Sequence, residues 1–209
     1  MAKKVAGPKK HVWKTPHGHS PLSVMFNSIH PVSREAIACI DEQTYPVQVA
    51  RGKYLIKPDH HTEPHLYLIV KGVIRAFIKE EGKEITTWIN EENEIVASIR
   101  NLGLSSHPSP EYLQAIENSS LIAMPYSLVE YLYENFPESN IVGRKILEDN
   151  YRGAEERAYI CRIPSAEKKY QHFIKTRPGL VNRISLKYIA SYLNMTIETL
   201  SRVRSRLAE

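Results

Sequence analysis

The sequence predicts an α+β chain: a central β-roll, then one long helix, then a terminal pair of short helices. Three observations carry this. From Tyr45 to about Pro125 the segments are short, rich in β-branched and aromatic residues, and broken at Gly52, Pro58, Pro64, Gly72 and Gly82, as in a small all-β barrel or roll. A proline-free run then extends from Pro137 to Ile163. The last stretch, "ISLKYIASYLNMTIETLSRVRSRL" over 184–207, has helical periodicity interrupted once.

Taken in order, residues 1–20 hold five lysines, three histidines and no acid, without periodicity; they read as a basic flexible arm or a plain solvated tail. Over 21–45 a helix is expected at "REAIACIDEQ", with Ser33 as N-cap and Ile37 and Ile40 facing one way. "HLYLIVKG", "VIRAFIKE" and "EITTWINE" read as strands, with "EEGKE" as a hairpin turn between two of them. "YSLVEYLYENF", 126–136, reads as a helix with an aromatic-rich face in the core. In the long helix, 138–163, Leu147, Tyr151, Ala154, Ala158 and Cys161 recur at intervals of three or four, forming one apolar stripe. Glu148, Asp149, Arg152, Glu155 and Glu156 lie off it. Such a stripe needs a covering surface: a second copy of the chain, as in most oligomers, or its own barrel. The final unit, 164–209, opens with a helix capped by Ser165 and stopped by "RPG" at 177–179. The roll with its leading helix therefore occupies 21–137.

Composition excludes several classes. The chain has 209 residues, 42% of them hydrophobic and 24% charged, as in an ordinary globular protein. No run approaches the roughly 18 apolar residues of a membrane span. The N-terminus lacks the apolar core of a secretory signal. Cys39 and Cys161 are the only cysteines, too few for a disulfide framework or a four-cysteine cluster, so a reducing cytoplasm is expected. The net charge of +5 is unevenly spread: residues 164–209 carry nine basic side chains against three acidic, whereas 21–163 carry fourteen against twenty. A basic unit on an acidic body suits phosphate binding.

Within 184–207, Ser185 is placed to cap a helix whose apolar face is Leu186, Ile189, Ala190 and Leu193. Asn194 suits a sharp left-handed turn. Thr196 caps a second helix with Leu200, Val203 and Leu207 inward and Glu198, Ser201, Arg202, Ser205 and Arg206 outward. Two short helices about such a turn form a helix-turn-helix, whose second helix enters the DNA major groove. Arg202 is then suited to guanine and Glu198 to a cytosine amino group. Ser185, Lys187 and Thr196 are candidates for phosphates. A helical hairpin in a core is the alternative, but it leaves the arginines of the second helix unexplained.

The order of roll, long helix and helix-turn-helix resembles the Crp/Fnr superfamily of transcription regulators (catabolite-activator-like) over nearly all of 21–209. "LYLIVKGVIRAFIKEEGKEITTW" is similar to that family's roll, a double-stranded β-helix that is cyclic-nucleotide-binding-like. "IASYLNMTIETLSRVRSRL" is similar to its reader helices, in the Bacteroidetes form. The resemblance implies duplex DNA, a second copy of the chain, a small-molecule effector and RNA polymerase as partners. Two departures stand out. The Gly-Glu and Arg-Ser pairs with which cyclic-nucleotide binders hold ribose and phosphate fall near Val96 and Ala97, and near Ser109 and Pro110. Only Arg100, from the preceding loop, offers a cation. An unpaired phosphate in a partly buried pocket is costly, so an effector other than cyclic AMP is expected. At the DNA face the family's Arg-Glu pair and following Arg map to Ile197, Glu198 and Arg202. Ile197 packs on a thymine methyl rather than donating to guanine.

The iron–sulfur members need four cysteines. A haem site would have histidines here but no specific pattern. His60, His61 and His65 with Asp59 and Glu63 form a chemically reasonable zinc set, yet Pro64 opposes the helix that would align them and a solvated loop is the expectation. No metal, cofactor or catalytic constellation is expected. The reading from another class is a small-ligand-binding module whose helix pair makes protein contacts.

Overall fold

The computed structural model describes residues 12–58, 64–97 and 109–208. Helices α1 (Pro21–Ile29) and α2 (Arg34–Gln43) come first. Each starts at a serine whose hydroxyl accepts a backbone N–H, Ser20 from Leu22 and Ser33 from Ala36, satisfying an otherwise orphaned donor. Eight strands follow: β1 (Tyr45–Val49), β2 (Tyr54–Ile56), β3 (His65–Lys71), β4 (Ile74–Glu80), β5 (Lys83–Asn90), β6 (Ile95–Ala97), β7 (Tyr112–Ala115) and β8 (Ser119–Pro125). They form two antiparallel four-stranded sheets, ordered β1-β8-β3-β6 and β2-β7-β4-β5. The β4–β5 hairpin turns through Glu81 and Gly82, both at positive φ (48° and 75°), the two-residue turn whose twist suits a hairpin.

Alternation along the strands divides the apolar residues among three cores. Ile69, Ile74, Ala76, Val96, Leu113 and Leu121 meet between the sheets. Leu68, Ile122 and Met124 point the other way, onto Leu22, Phe26 and Ile40 of the leading helices. Val73, Ile89 and Ile116 join a third core with Phe173, Leu180, Ile184 and Ile189 of the C-terminal unit. Both outer faces of the roll are therefore covered by helices.

Beyond the roll lie α3 (Tyr126–Asn135), α4 (Pro137–Arg162), α5 (Ala166–Thr176), a 3-10 turn (Pro178–Leu180), α6 (Leu186–Tyr192) and α7 (Ile197–Ala208). Proline at the first position of α4 lacks the N–H that would be orphaned there. Ser165 caps α5 by accepting from Lys168.

Two expectations need correction. The arm is not free over 12–20: Trp13 is buried, its indole N–H donates to the Asp41 carbonyl at 2.9 Å, and His19 bonds the Asp41 carboxylate at 2.6 Å. A single large aromatic with a partner for its N–H outweighs the surrounding polarity. In α3 it is Leu128, Val129 and Leu132 that bury, while Tyr131 and Tyr133 are exposed. The aliphatic side chains fill the core, while the two tyrosines lie at its edge, with the Tyr133 hydroxyl packed against Gly143 of α4.

Candidate nucleic-acid interface

The α6–α7 pair is built by local chemistry. Ser185 is the N-cap of α6, but its hydroxyl makes no capping bond; only its carbonyl enters the helix, accepting from Tyr188 and Ile189. The serine hydroxyl is exposed to solvent instead. Ile189, Ala190 and Leu193 are buried. The chain reverses at Asn194, with φ at 50°, a conformation Asn tolerates. Lys169 of α5 is buried and its ammonium donates to the Leu193 carbonyl at 3.2 Å, placing a cation at the negative end of α6. Thr196 opens α7, its hydroxyl accepting from the Thr199 N–H at 3.2 Å.

On α7, Leu200 and Val203 are buried. Leu207, expected to complete that stripe, is 40% exposed. It borders an open cleft of about 470 Å³ lined by Tyr170, Ile174, Pro178, Val181 and Arg204. The helix end outruns the core beneath it. Ile197, Glu198, Ser201, Arg202, Ser205 and Arg206 are all exposed, as are Thr196, Ser185 and Lys187. The α7 residues repeat at three- and four-residue intervals, so they share one side of the helix. Glu198 lies below its ordinary value, held by its own backbone N–H and then by the Thr196 hydroxyl; it stays an acceptor at neutral pH.

The positions where nucleotide binders carry their ribose- and phosphate-holding pairs are also in view. Val96 and Ala97 sit in β6, both buried. Ser109 is buried and its hydroxyl accepts from the Glu111 N–H at 3.2 Å; Pro110 is exposed. Arg100 lies outside the described residues. Beside Ser109, the Glu111 carboxylate accepts from the Thr87 hydroxyl at 2.9 Å and the Trp88 indole at 3.1 Å. His65 opens β3 and bonds the Tyr45 hydroxyl at 2.9 Å; His60 and His61 lie outside the described residues. Among the described residues, no helix is long and apolar enough to cross a membrane.

The family described as cyclic nucleotide-binding domain matches residues 46–136, the span from β1 through α3. The fumarate and nitrate reduction regulatory protein of Vibrio cholerae is 26% identical over 182 residues, 80% of this chain and 69% of that protein. Its Escherichia coli counterpart is 25% identical over 179 residues, with the same shares covered. In fold, the chain is similar to FixK2 of Bradyrhizobium japonicum (TM-score 0.67, 18% identity, 79% of this chain and 84% of that one). It is equally similar to a Crp/Fnr-family regulator of Eubacterium rectale (TM-score 0.67, 14% identity, 86% and 85% covered). Together these similarities support a Crp/Fnr-family transcription regulator.

The roll carries the cyclic nucleotide-binding domain match, the helical unit from α5 to α7 follows it, and the relatives matched are regulatory proteins. Between these units lies a set of polar contacts with no counterpart among the sequence motifs. Arg183 pairs with both oxygens of Glu92, at 2.8 and 2.7 Å, and with Glu117. Arg177 pairs with Glu94 at 2.5 Å. Ser191 of α6 accepts from the Thr86 N–H of β5 at 2.9 Å. The acidic run "EENE" at 91–94 and the two arginines are visible in the sequence, but nothing local pairs groups some ninety residues apart.

The bidentate Arg183 partnership, helped by the Gly72 N–H, holds the Glu92 carboxyl at about 2 against an ordinary 4.5. Burial pushes Glu91 up, against the pull of Arg177. A depressed carboxyl stabilises the fold fully above its unfolded value and loses that contribution as pH falls through the folded one. Glu92→Gln is therefore expected to lower stability by about 1–2 kcal/mol at pH 6, less than the full shift because the pair is partly solvated. The difference from wild type should close as pH drops from 4.5 toward 2. Thermal unfolding of both chains across that range checks it; a gap independent of pH would mean that Glu92 acts without its charge.

Proposed function

We propose that the protein is a homodimeric DNA regulator that reads a pseudo-palindromic duplex through two α6–α7 units, with the subunits paired along α4. The supporting observation is the two-sided character of α7. Leu200 and Val203 anchor it, while Glu198, Ser201, Arg202, Ser205 and Arg206 stand clear of the rest of the chain. A helix in a protein core has no use for such a face, whereas a major-groove reader requires one. Pairing along α4 draws support from its stripe: Leu147, Tyr151, Ala154, Ala158 and Cys161 are all exposed within one chain, so its own roll does not cover them. Half-sites then lie about one helical turn, roughly 34 Å, apart.

The roll senses an effector other than cyclic AMP, or none. The buried side chains of Val96 and Ala97 offer no polar group for a ribose, and beside Ser109 lies the Glu111 carboxylate, which repels a phosphate. Arg100 alone among the candidate pocket residues would bring a cation. The setting is cytoplasmic, where such a regulator meets RNA polymerase at the promoters it occupies.

Selection of purified, ligand-free protein against a random duplex pool at near-physiological salt tests this reading, with enrichment of an inverted repeat as the expected result. No enrichment, with or without cell extract, would favour a ligand-binding module whose helix pair contacts protein. Binding should also weaken steeply with salt as counterions are released. On the selected site, Arg202→Ala is expected to cost about 1–3 kcal/mol and to relax preference at one base position. Equal loss on every sequence would confine Arg202 to phosphate.

A further inference from the structure

We infer that Arg75, a residue of the roll outside the proposed DNA face, is a positioning residue for DNA recognition: it sets the orientation of α6, and through it the spacing of the two half-sites. This rests on the dimeric reading proposed above.

Arg75 lies in β4 and is fully buried. Its neighbours Ile74 and Ala76 point between the sheets, so Arg75 points outward, toward the C-terminal unit. There its guanidinium lies over two rings, 4.3 Å from the centre of Phe77 and 4.2 Å from that of Tyr188 on α6. Along its edge, Nε donates to the Thr86 hydroxyl at 2.8 Å and Nη1 to the Glu84 carboxylate at 2.9 Å. Among the described residues Nη2 has no hydrogen-bond partner, so the hydrogen bonds seen there do not account for the whole burial of this cation. The stacked rings supply the rest.

The arrangement restricts motion of α6 in more than one direction. Contact with two rings restricts the tilt of the guanidinium, and its bonds to Thr86 and Glu84 of β5 restrict its rotation. One turn along α6, Ser191 accepts from the Thr86 N–H at 2.9 Å and donates to the Glu84 carbonyl at 3.2 Å. The same two β5 residues thus hold both Arg75 and α6. Tyr188 and Ser191 are three residues apart and face the roll, while Ile189, Ala190 and Leu193 enter the third core, shared by the C-terminal unit with Val73, Ile89 and Ile116 of the roll. Because α7 packs on α6, a rotation of α6 on the roll carries α7 with it. Lysine, a flexible point charge, stacks on only one ring at a time.

The experiment compares full-length wild type, Arg75→Lys, Arg75→Met and Tyr188→Leu. Each is titrated against the selected inverted repeat, the repeat with two base pairs inserted between half-sites, and a duplex with one half-site. Wild type should reject the respaced site, and the variants should lose about five- to tenfold or more of that discrimination, with half-site affinity nearly unchanged. A merely structural role would lower half-site and repeat binding together, and that result would overturn the inference. So would folded variants that keep the wild-type preference for spacing. If the Arg75 variants do not fold, Tyr188→Leu, which leaves the roll intact, decides alone. A wild type that ignores spacing would overturn the dimeric reading first and this inference with it.

Discussion

A chain carrying Leu147→Glu together with Tyr151→Glu is expected to be monomeric and to lose most of its affinity for an inverted repeat. The two side chains are 60% and 66% exposed on α4, one helical turn apart. Covering each with a partner helix would stabilise a dimer by about 1.5–3 kcal/mol per side chain, twice over by symmetry. Replacing them with carboxylates removes that gain and sets like charges against each other across the two-fold axis. The helix itself should persist, since Glu is a good helix former, with a small penalty from Glu148 and Glu155 nearby. A monomer engages one half-site at a time, so affinity for the full repeat should fall by about 10²–10⁴-fold as avidity is lost. Light scattering and titration of the repeat check both parts. An unchanged dimer would move the subunit interface away from this stripe.

Gly72→Ala should produce the largest loss of stability from a single methyl group. Gly72 sits between β3 and β4 at φ 111°, a region closed to other residues. A Cβ built there would lie 2.7 Å from the Ser119 Cα, so backbone must shift rather than a flexible side-chain tip. Backbone strain and overpacking each cost about 1–3 kcal/mol. The Gly72 N–H also donates to Glu92 at 2.7 Å, so displacement here disturbs the Arg183 pairing as well. Melting temperature is expected to fall by about 2–4 °C per kcal/mol for a chain of this size. A change of less than one degree would show that the β3–β4 turn relaxes freely.

The lesson from these residues concerns range. The strands at 65–90, the turn at Glu81–Gly82, the caps at Ser33, Ser165 and Thr196 and the reversal at Asn194 were legible because each depends on a few adjacent residues: alternation, a positive φ, or a hydroxyl within reach of the next turn. The outward face of α7 was legible for the same reason, since helical spacing alone puts Leu200 and Val203 opposite Arg202 and Arg206. Ser185 and Leu207 departed from that pattern because an available hydroxyl need not bond and a helix may outlast its core. Trp13 departed because its anchor, Asp41, lies outside any local window.

By itself, then, the sequence determined the order of elements, the basic character of the C-terminal unit and the side of α7 that stays exposed. Tertiary structure alone decided how that unit sits on the roll. Arg75 on Tyr188, Arg183 on Glu92 and Glu117, and Ser191 on Thr86 each join groups 66 or more residues apart. Only when the sheets have closed and the third core has formed are such groups brought within a few ångströms, in surroundings dry enough for charge and ring to hold one orientation.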